Sequence, residues 1–389
     1  MQFEYFVPSK ILFGPGKLAE LHKQILPGKK ALIVISAGKS MRANGYLKRV
    51  QAELEMAGVE SVIFDKILPN PIHKHVMEGA ALAKAESCDF VVGLGGGSSI
   101  DSAKSIAVMA TNPGDYWDYI SGGSGKEKPV VNAPLPIVAI TTTAGTGTEA
   151  DPFTVITKED TEEKIGFGVD GTFPVLSIVD PELMASVPAH LTAYQGFDAL
   201  FHSTEGYLNR TANPISDMFA LKAIELIGKS LPTAVKNGQD LEARTNVALA
   251  NTLAGMVESL SGCISEHSIE HALSAYHPAL PHGAGLIMIS AAYYENFAKK
   301  EECAERMVQM AKALGDEDAR EPMDFVKRLR ALQKACGVDD LKMSEYGVDG
   351  NDLLKYAVKA RDTMGGLFEV DPVLVTEEDC VWILKESYR

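Results

Sequence analysis

The rhythm of hydrophobic and polar positions changes once along the chain. Up to about residue 187, short apolar, β-branched runs alternate with helix-length segments at 42–57, 73–86 and 99–110; the runs are ALIVIS (31–36), SVIF (61–64), FVVGLG (90–95), PIVAI (136–140) and VLSIVD (175–180). Runs this apolar, without polar alternation, predict parallel strands covered on both faces. After SVPAHLT (186–192) the strand-like runs stop, and helical periodicity holds over 214–236, 240–262, 303–314, 322–336 and 376–387. The pattern predicts an α/β domain over residues 1–187 and an all-helical domain over 188–389, the boundary being a change of fold class rather than a linker. TKEDTEEK (157–164), the most polar stretch, reads as a solvated hairpin tip within the first domain. A cleft between two such domains is a usual place for a ligand.

Composition narrows the function without naming it. The chain has 389 residues, 46% apolar and 23% charged, in the range of folded globular proteins and long enough for two cores. A formal charge of −15 with no basic run opposes binding to nucleic acid or an anionic membrane. The five cysteines are scattered and include no CxxC, which argues against a disulfide framework or a zinc finger and fits a reducing cytoplasm. The N-terminal MQFEYFVPSKILFGPG lacks the basic head and apolar stretch of a signal peptide, and no segment approaches about 18 uninterrupted apolar residues.

Two loops point to a nucleotide. In DFVVGLGGGSSIDSAK an apolar strand runs into Gly95, Gly96 and Gly97 and then into a helix, with Ser98 as its expected N-cap and Asp101 three residues on. Bare amides at a helix start hold phosphate, because glycine allows close approach and the helix dipole favours negative charge. The spacing is not GxGxxG, and a capped turn with packing glycines is an equally good reading of this loop taken alone. A second loop, TTTAGTGTEA (141–150), also follows a strand, and two such loops at strand C-termini favour nucleotide binding. After the first predicted strand, VISAGKSMRANG offers no acidic residue for a ribose. Gly38 is followed instead by Lys39, Ser40 and Arg42, which favours NADP over NAD.

The histidines supply the second constellation. EHSIEHALSAYHPALPH (266–282) holds four of the nine, and GFDALFHSTEGY places Asp198 and His202 at i,i+4, as His267 and His271 are. On a helix each pair projects from one face. A carboxylate with three imidazoles, including His282 in a Pro-Gly turn, suits Fe(II) or Zn(II) in an open, Lewis-acidic site.

Taken together, GLGGGSSIDSAK, ITTTAGTGTE, GFDALFHSTEGY and HSIEHALSAYHPALPHG resemble the motifs of the iron-containing (group III) alcohol dehydrogenases, in order and spacing, over nearly the whole chain. The resemblance implies a Rossmann-like, parallel-sheet N-terminal domain and an all-α C-terminal domain, the dehydroquinate synthase-like/iron alcohol dehydrogenase fold. It implies metal ligands at Asp198, His202, His267 and His282, with Asp198, His267 and His271 carrying catalysis, His271 facing the nicotinamide, and His277 just outside the ligands. For the cofactor it implies Gly95, Gly96, Gly97, Ser98 and Asp101, then Thr142, Thr143 and Thr146, with Asn70 and Lys164 contributing and the 38–42 loop resembling that of NADP-using members. The expected activity is hydride transfer between NAD(P)(H) and a small primary alcohol, a diol or the corresponding aldehyde, in a cytoplasmic homo-oligomer. The chain departs from the family at Val257 and Glu258, where an apolar pair is usual, and in one extra residue before His282. A carboxylate there would favour hydroxylated substrates; a surface-facing Glu258 would not matter.

Two other readings stay open at this level. A dehydroquinate synthase-like lyase shares the frame, but the cleft segments carry few basic residues to hold a phosphorylated acid. A glycerol dehydrogenase-like polyol enzyme, or a non-catalytic dinucleotide module, would keep the first domain. No tyrosine is followed four residues later by lysine, so the Tyr-x-x-x-Lys dyad of short-chain dehydrogenases is absent.

Overall fold

The computed structural model describes residues 2–389. It divides into two compact units, Val7–Thr143 with Thr148–Ser186, and Val187–Arg389 with Ala144–Gly147 and residues 2–6.

The first unit is built on a six-stranded, wholly parallel sheet. Its strands are β1 (Lys10–Phe13), β2 (Lys30–Ser36), β3 (Glu60–Ile67), β4 (Phe90–Gly95), β5 (Ile137–Thr141) and, after the hairpin of β6 (Thr154–Lys158) and β7 (Glu163–Phe167), β8 (Leu176–Val179). The sheet order is β1-β8-β5-β4-β2-β3. The five apolar runs become β2, β3, β4, β5 and β8, and Ala31–Ile35, Phe90–Val92 and Ile137–Ile140 are wholly buried, as double coverage requires. The edge strand β1 is an addition: KILF pairs in parallel with β8, from Lys10 opposite Leu176 to Phe13 opposite Val179. TKEDTEEK is the tip of the antiparallel β6–β7 hairpin, with Lys158 opposite Glu163. The chain leaves β2 to one side for β3 and returns on its other side as β4, so the topological switch point lies between β2 and β4, where open sheets of this kind bind ligands at the strands' carboxyl ends.

The second unit is helical. Its longer helices are Ala189–Leu208, Pro214–Lys236, Leu241–Leu260, Ser265–Tyr276, His282–Ala298, Ala304–Ala313, Pro322–Ala335, Leu353–Met364 and Glu377–Ser387. Starts are encoded locally: Asn213 caps Ile215 and Ser216 ahead of Pro214, Asp240 caps Ala243, and Thr376 forms a reciprocal box with Asp379. Ala189–Leu208 and Ser265–Tyr276 are buried along nearly their whole length, polar residues included. Among the described residues no single helix is long and apolar enough to cross a membrane.

Candidate metal and dinucleotide sites

In the helical unit, one carboxylate oxygen gathers the imidazoles. Asp198 Oδ1 lies 3.4 Å from His282 Nε2, 3.6 Å from His267 Nε2 and 3.7 Å from His202 Nδ1. Ligands at about 2.0–2.2 Å from a tetrahedral ion stand about 3.3–3.6 Å apart, so the first two separations already match a metal polyhedron. Asp198, His267 and His282 offer ligand atoms all within 4.8 Å of one another, and His202 stacks on His267 with ring centroids 4.4 Å apart. Asp198 Oδ1 and His267 Nε2 are buried without a hydrogen-bond partner, the pattern expected where an ion completes the coordination.

Electrostatics agree with that geometry at Asp198 and His202, whereas at His267 burial is outweighed by Cys263, Glu205 and Asp198, which raise the imidazole pKa well above its ordinary value, so an ion bound there displaces a proton. Burial opposes ionisation of Asp198, yet the imidazoles of His202, His282 and His267 hold its carboxyl well below the ordinary range. Burial also keeps His202 neutral, its pKa lowered to about 3 against the pull of Asp198. A deprotonated carboxylate and a neutral imidazole are the forms that bind metals.

Behind the imidazoles stand two carboxylates that sequence reasoning passed over. Glu205 accepts from His267 Nδ1, and Glu270 from His282 Nδ1. Each fixes the proton on Nδ1 and turns Nε2 inward. His202 Nδ1 faces the carbonyl of Gly145 at 3.3 Å. The signal was present as His-x-x-Glu at 202/205 and at 267/270: one turn on, each glutamate supports the next histidine of the set. Two more neighbours stand at the set: Glu258, marked in the sequence only as a departure from the family, and Cys263, which carried no signal. Glu258 Oε2 is 3.7 Å from His202 Nε2, and Cys263 shares a 4.8 Å group with His202 and His267.

The other predicted residues spread as follows. His271 sits beside the set, its ring 5.1 Å from that of His282 and its Nδ1 3.0 Å from Met364 Sδ. His277 turns to the Tyr356 hydroxyl at 2.8 Å. His282 is not in a turn: it opens the helix His282–Ala298 directly after Pro281.

In the α/β unit, the carboxyl ends of β2, β4 and β5 bring three loops together. The amide of Thr142 bonds to the Gly95 carbonyl at 2.9 Å, and Gly95 at φ 148° adopts a backbone that side chains avoid. The helix after β4 starts at Gly97 with Gly96 as N-cap, correcting the expectation for Ser98. Ser98 lies in the first turn and donates its hydroxyl to the Pro69 carbonyl instead, while the Ser99 and Ile100 amides bond to the Gly96 carbonyl at 3.0 and 3.3 Å. The Ser98 bond holds Pro69, the neighbour of Asn70 in the chain, and the Thr157 amide bonds to the Pro71 carbonyl at 2.8 Å while Thr157 pairs across the hairpin with Lys164. Asp101 faces inward: Oδ1 accepts from Thr148 Oγ1 at 2.8 Å and Oδ2 from the Val155 amide at 3.0 Å, and burial raises its pKa to about 6. Lys104, with none of its side chain exposed, donates to Thr148, Asp151 and Phe153. Gly38, Lys39 and Ser40 follow β2, and Arg42 pairs with Asp65 at 2.6 Å with both side chains half exposed. Thr142 and Thr143 belong to this unit; Thr146 belongs to the helical one.

Comparison with known proteins closes the question of class. Residues 8–181 match the family described as iron-containing alcohol dehydrogenase, and residues 192–388 match the Fe-containing alcohol dehydrogenase family, C-terminal. The NAD-dependent methanol dehydrogenase of Bacillus methanolicus is 35% identical over 392 residues, covering 98% of this chain and 99% of its own. The 1,3-propanediol dehydrogenase of Klebsiella pneumoniae is 38% identical over 307 residues, 78% of each chain. The crystal structure of an archaeal halo-thermophilic Red Sea brine pool alcohol dehydrogenase superposes with a TM-score of 0.94 at 35% identity, covering 100% of this chain and 99% of the other. With both family matches, that shared fold and relatives of nearly equal length, the chain belongs to the iron-containing alcohol dehydrogenases and is an NAD(P)-dependent alcohol dehydrogenase.

Proposed function

We propose that Asp198, His202, His267 and His282 hold the catalytic Fe(II), with Zn(II) as an alternative occupant, and that the protein interconverts a small primary alcohol or diol and its aldehyde. The observation that carries this reading is the buried, unpartnered Asp198 Oδ1 with Nε2 of His282 and His267 at 3.4 and 3.6 Å and the His202 ring stacked on His267. When bound, the metal supplies Lewis acidity toward the oxygen charge that develops on the substrate, and the nicotinamide carries the hydride. The residues of the chain do the rest. Glu205 and Glu270 keep Nε2 of His267 and His282 unprotonated, the Gly145 carbonyl orients His202, and His271 stands next to His282 as the group that passes the hydroxyl proton outward.

The dinucleotide is assigned to the α/β unit, Val7–Thr143 with Thr148–Ser186, and metal and catalysis to the helical unit. Gly95, Gly96, Gly97 and Ser98 would hold the diphosphate at the helix start, with Thr142 and Thr143 from the next loop and with Asn70 and Lys164 along the edge; Asp101 acts indirectly, by fixing the helix to β6. NADP is favoured over NAD because Gly38, Lys39 and Ser40 offer no carboxylate to a ribose hydroxyl, and a half-exposed Arg42–Asp65 pair is weak enough for Arg42 to turn to a 2′-phosphate. All five cysteines are buried and free, which supports a cytoplasmic setting, and homo-oligomeric assembly belongs to the same reading.

A second point concerns the substrate. Glu258 stands 3.7 Å from His202 Nε2 with its side chain 16% exposed, so it faces the site and not bulk water. A carboxylate there accepts from a second hydroxyl, which favours diols over plain alkanols, in line with the 1,3-propanediol dehydrogenase among the relatives.

The test is NADPH and NADH oxidation against butanal, lactaldehyde and 3-hydroxypropanal, using protein prepared without oxygen, stripped by chelator and reloaded with Fe(II) or Zn(II). Metal-restored turnover, faster with NADPH and with the hydroxylated aldehydes, is expected. Absence of turnover with either metal and either cofactor, together with phosphate release from a phosphorylated polyhydroxy acid, would replace the reading with the lyase.

A further inference from the structure

The helix Leu241–Leu260 ends in a turn whose last residues put a thiol against the imidazoles. Gly262, at φ 76°, lets the chain reverse, and Asn209 Nδ2 holds the Cys263 carbonyl at 3.2 Å, so the position of Cys263 is fixed by backbone contacts. The side chain is buried. Its Sγ and one nitrogen each of His202 and His267 lie within 4.8 Å of one another, and His267 Nε2 is the buried nitrogen without a hydrogen-bond partner. Glu258 borders the same side, 3.7 Å from His202 Nε2.

We infer that His202, Cys263 and His267, with the Glu258 carboxylate beside them, form a second coordination set, sharing two imidazoles with the Asp198 set and taking a strongly thiophilic ion such as Cd(II) through the Cys263 sulfur. The donor types decide between the sets. Thiolate with two imidazoles is a soft, near-tetrahedral environment suited to this d¹⁰ ion, whereas the Asp198 set, three imidazoles and a carboxylate without sulfur, suits Fe(II) and the borderline Zn(II). Binding is a proton exchange and involves no redox change: a metal–sulfur bond forms as the S–H bond breaks, and the proton goes to solvent. Because His202 and His267 are common to both, an ion drawn to sulfur takes two ligands from the catalytic arrangement. The protein would be loaded yet incompetent. The inference rests on the proposed function only for that last consequence; the sulfur ligation stands or falls by itself.

The probe is Cd(II) alone, titrated into the stripped full-length protein and followed by the ultraviolet thiolate-to-cadmium charge-transfer band and by ¹¹³Cd resonance position. Wild type should develop the band with one equivalent. His282→Ala, which breaks only the Asp198 set, should keep it, and Cys263→Ser should lose it. Affinity for Cd(II) should fall about tenfold or more in Cys263→Ser while Fe(II) is still bound. Cys263→Ala, checked with Cys263→Ser by circular dichroism, guards against a substitution that fails to fold. A wild type without the band, or a band unchanged in both folded Cys263 variants, overturns the inference. A band lost in His282→Ala as well overturns the separation of the two sets.

Discussion

Glu205 offers the sharpest test of how the histidines are held. It is fully buried, and its oxygens accept from His267 Nδ1, from the Ile264 amide at 2.8 Å and from the His267 amide at 3.5 Å. Glu205→Gln keeps the shape but leaves a single accepting oxygen. If that oxygen stays on the Ile264 amide, the new NH₂ faces Nδ1, which must then accept, and the ring proton moves to Nε2, the atom 3.6 Å from Asp198 Oδ1. A protonated Nε2 cannot ligate. If the amide flips, Ile264 N–H meets another donor, and an unsatisfied buried group costs about 1–3 kcal/mol. Loss of such supporting carboxylates weakens metal binding about 10–100-fold, or about 1.4–2.7 kcal/mol, so both routes arrive at the same size. The assay is anaerobic competition between the protein and a chelator for Fe(II), with bound metal counted directly. Glu270→Gln repeats the experiment on His282. A Glu205→Gln protein whose Fe(II) affinity stays within about threefold of wild type would refute the tautomer argument.

Two further outcomes follow from packing and from burial. A Cβ on Gly255 would meet the Gly147 backbone, with its carbonyl carbon at 2.7 Å and its Cα at 2.9 Å. Gly255→Ala should therefore lose about 1–3 kcal/mol despite its better helix propensity, lowering the melting temperature by about 2–4 °C per kcal/mol and weakening retention of metal through the displaced Gly145–His202 contact; an unchanged melting curve would show that the segment gives way freely. Burial lifts Asp371 from 3.8 to about 7, so it favours the folded state when protonated: that contribution is complete below about pH 4 and is lost as pH rises through about 7. Denaturation of the metal-free protein at several pH values should show this slope, and Asp371→Asn should flatten it; an identical slope in the variant would assign it to other groups.

Most of the frame was legible because its signals are local. Five apolar runs gave five strands, since a strand covered on both faces has no polar alternation to disguise it. The helix Pro214–Lys236 carried Pro at its first position and Asn before it. KILF escaped because four residues with a lysine are indistinguishable from loop, and only pairing with β8 makes them a strand. Ser98 was misplaced as a cap because Ser usually outranks Gly there; the glycine loop puts Gly96 at that position and spends the Ser98 hydroxyl on Pro69. At the histidines, spacing revealed the pairs on one helix face but not the partners across helices. Glu205 reaches His267 over 62 residues and Cys263 reaches His202 over a turn, separations that no periodicity encodes. The segment Ala144–Gly147 is likewise invisible in sequence as part of the helical unit, because Gly147 is anchored there by Asn251 and not by anything near it in the chain.

The Lys104 clamp has a kinetic consequence. Its ammonium is saturated by Thr148 Oγ1, the carbonyls of Asp151 and Phe153, and the Asp151 carboxylate at 2.7–3.0 Å, and it ties the helix behind the glycine loop to the stretch that leads into β6. On the proposed assignment of the dinucleotide to this loop, an incoming ligand would meet a backbone already in place, so the entropy of ordering would fall on the ligand and little on the protein. Capture would then need no prior rearrangement of the loop: the encounter rate should rise in simple proportion to dinucleotide concentration, without a plateau, and differences in affinity among dinucleotides should arise in how fast they leave.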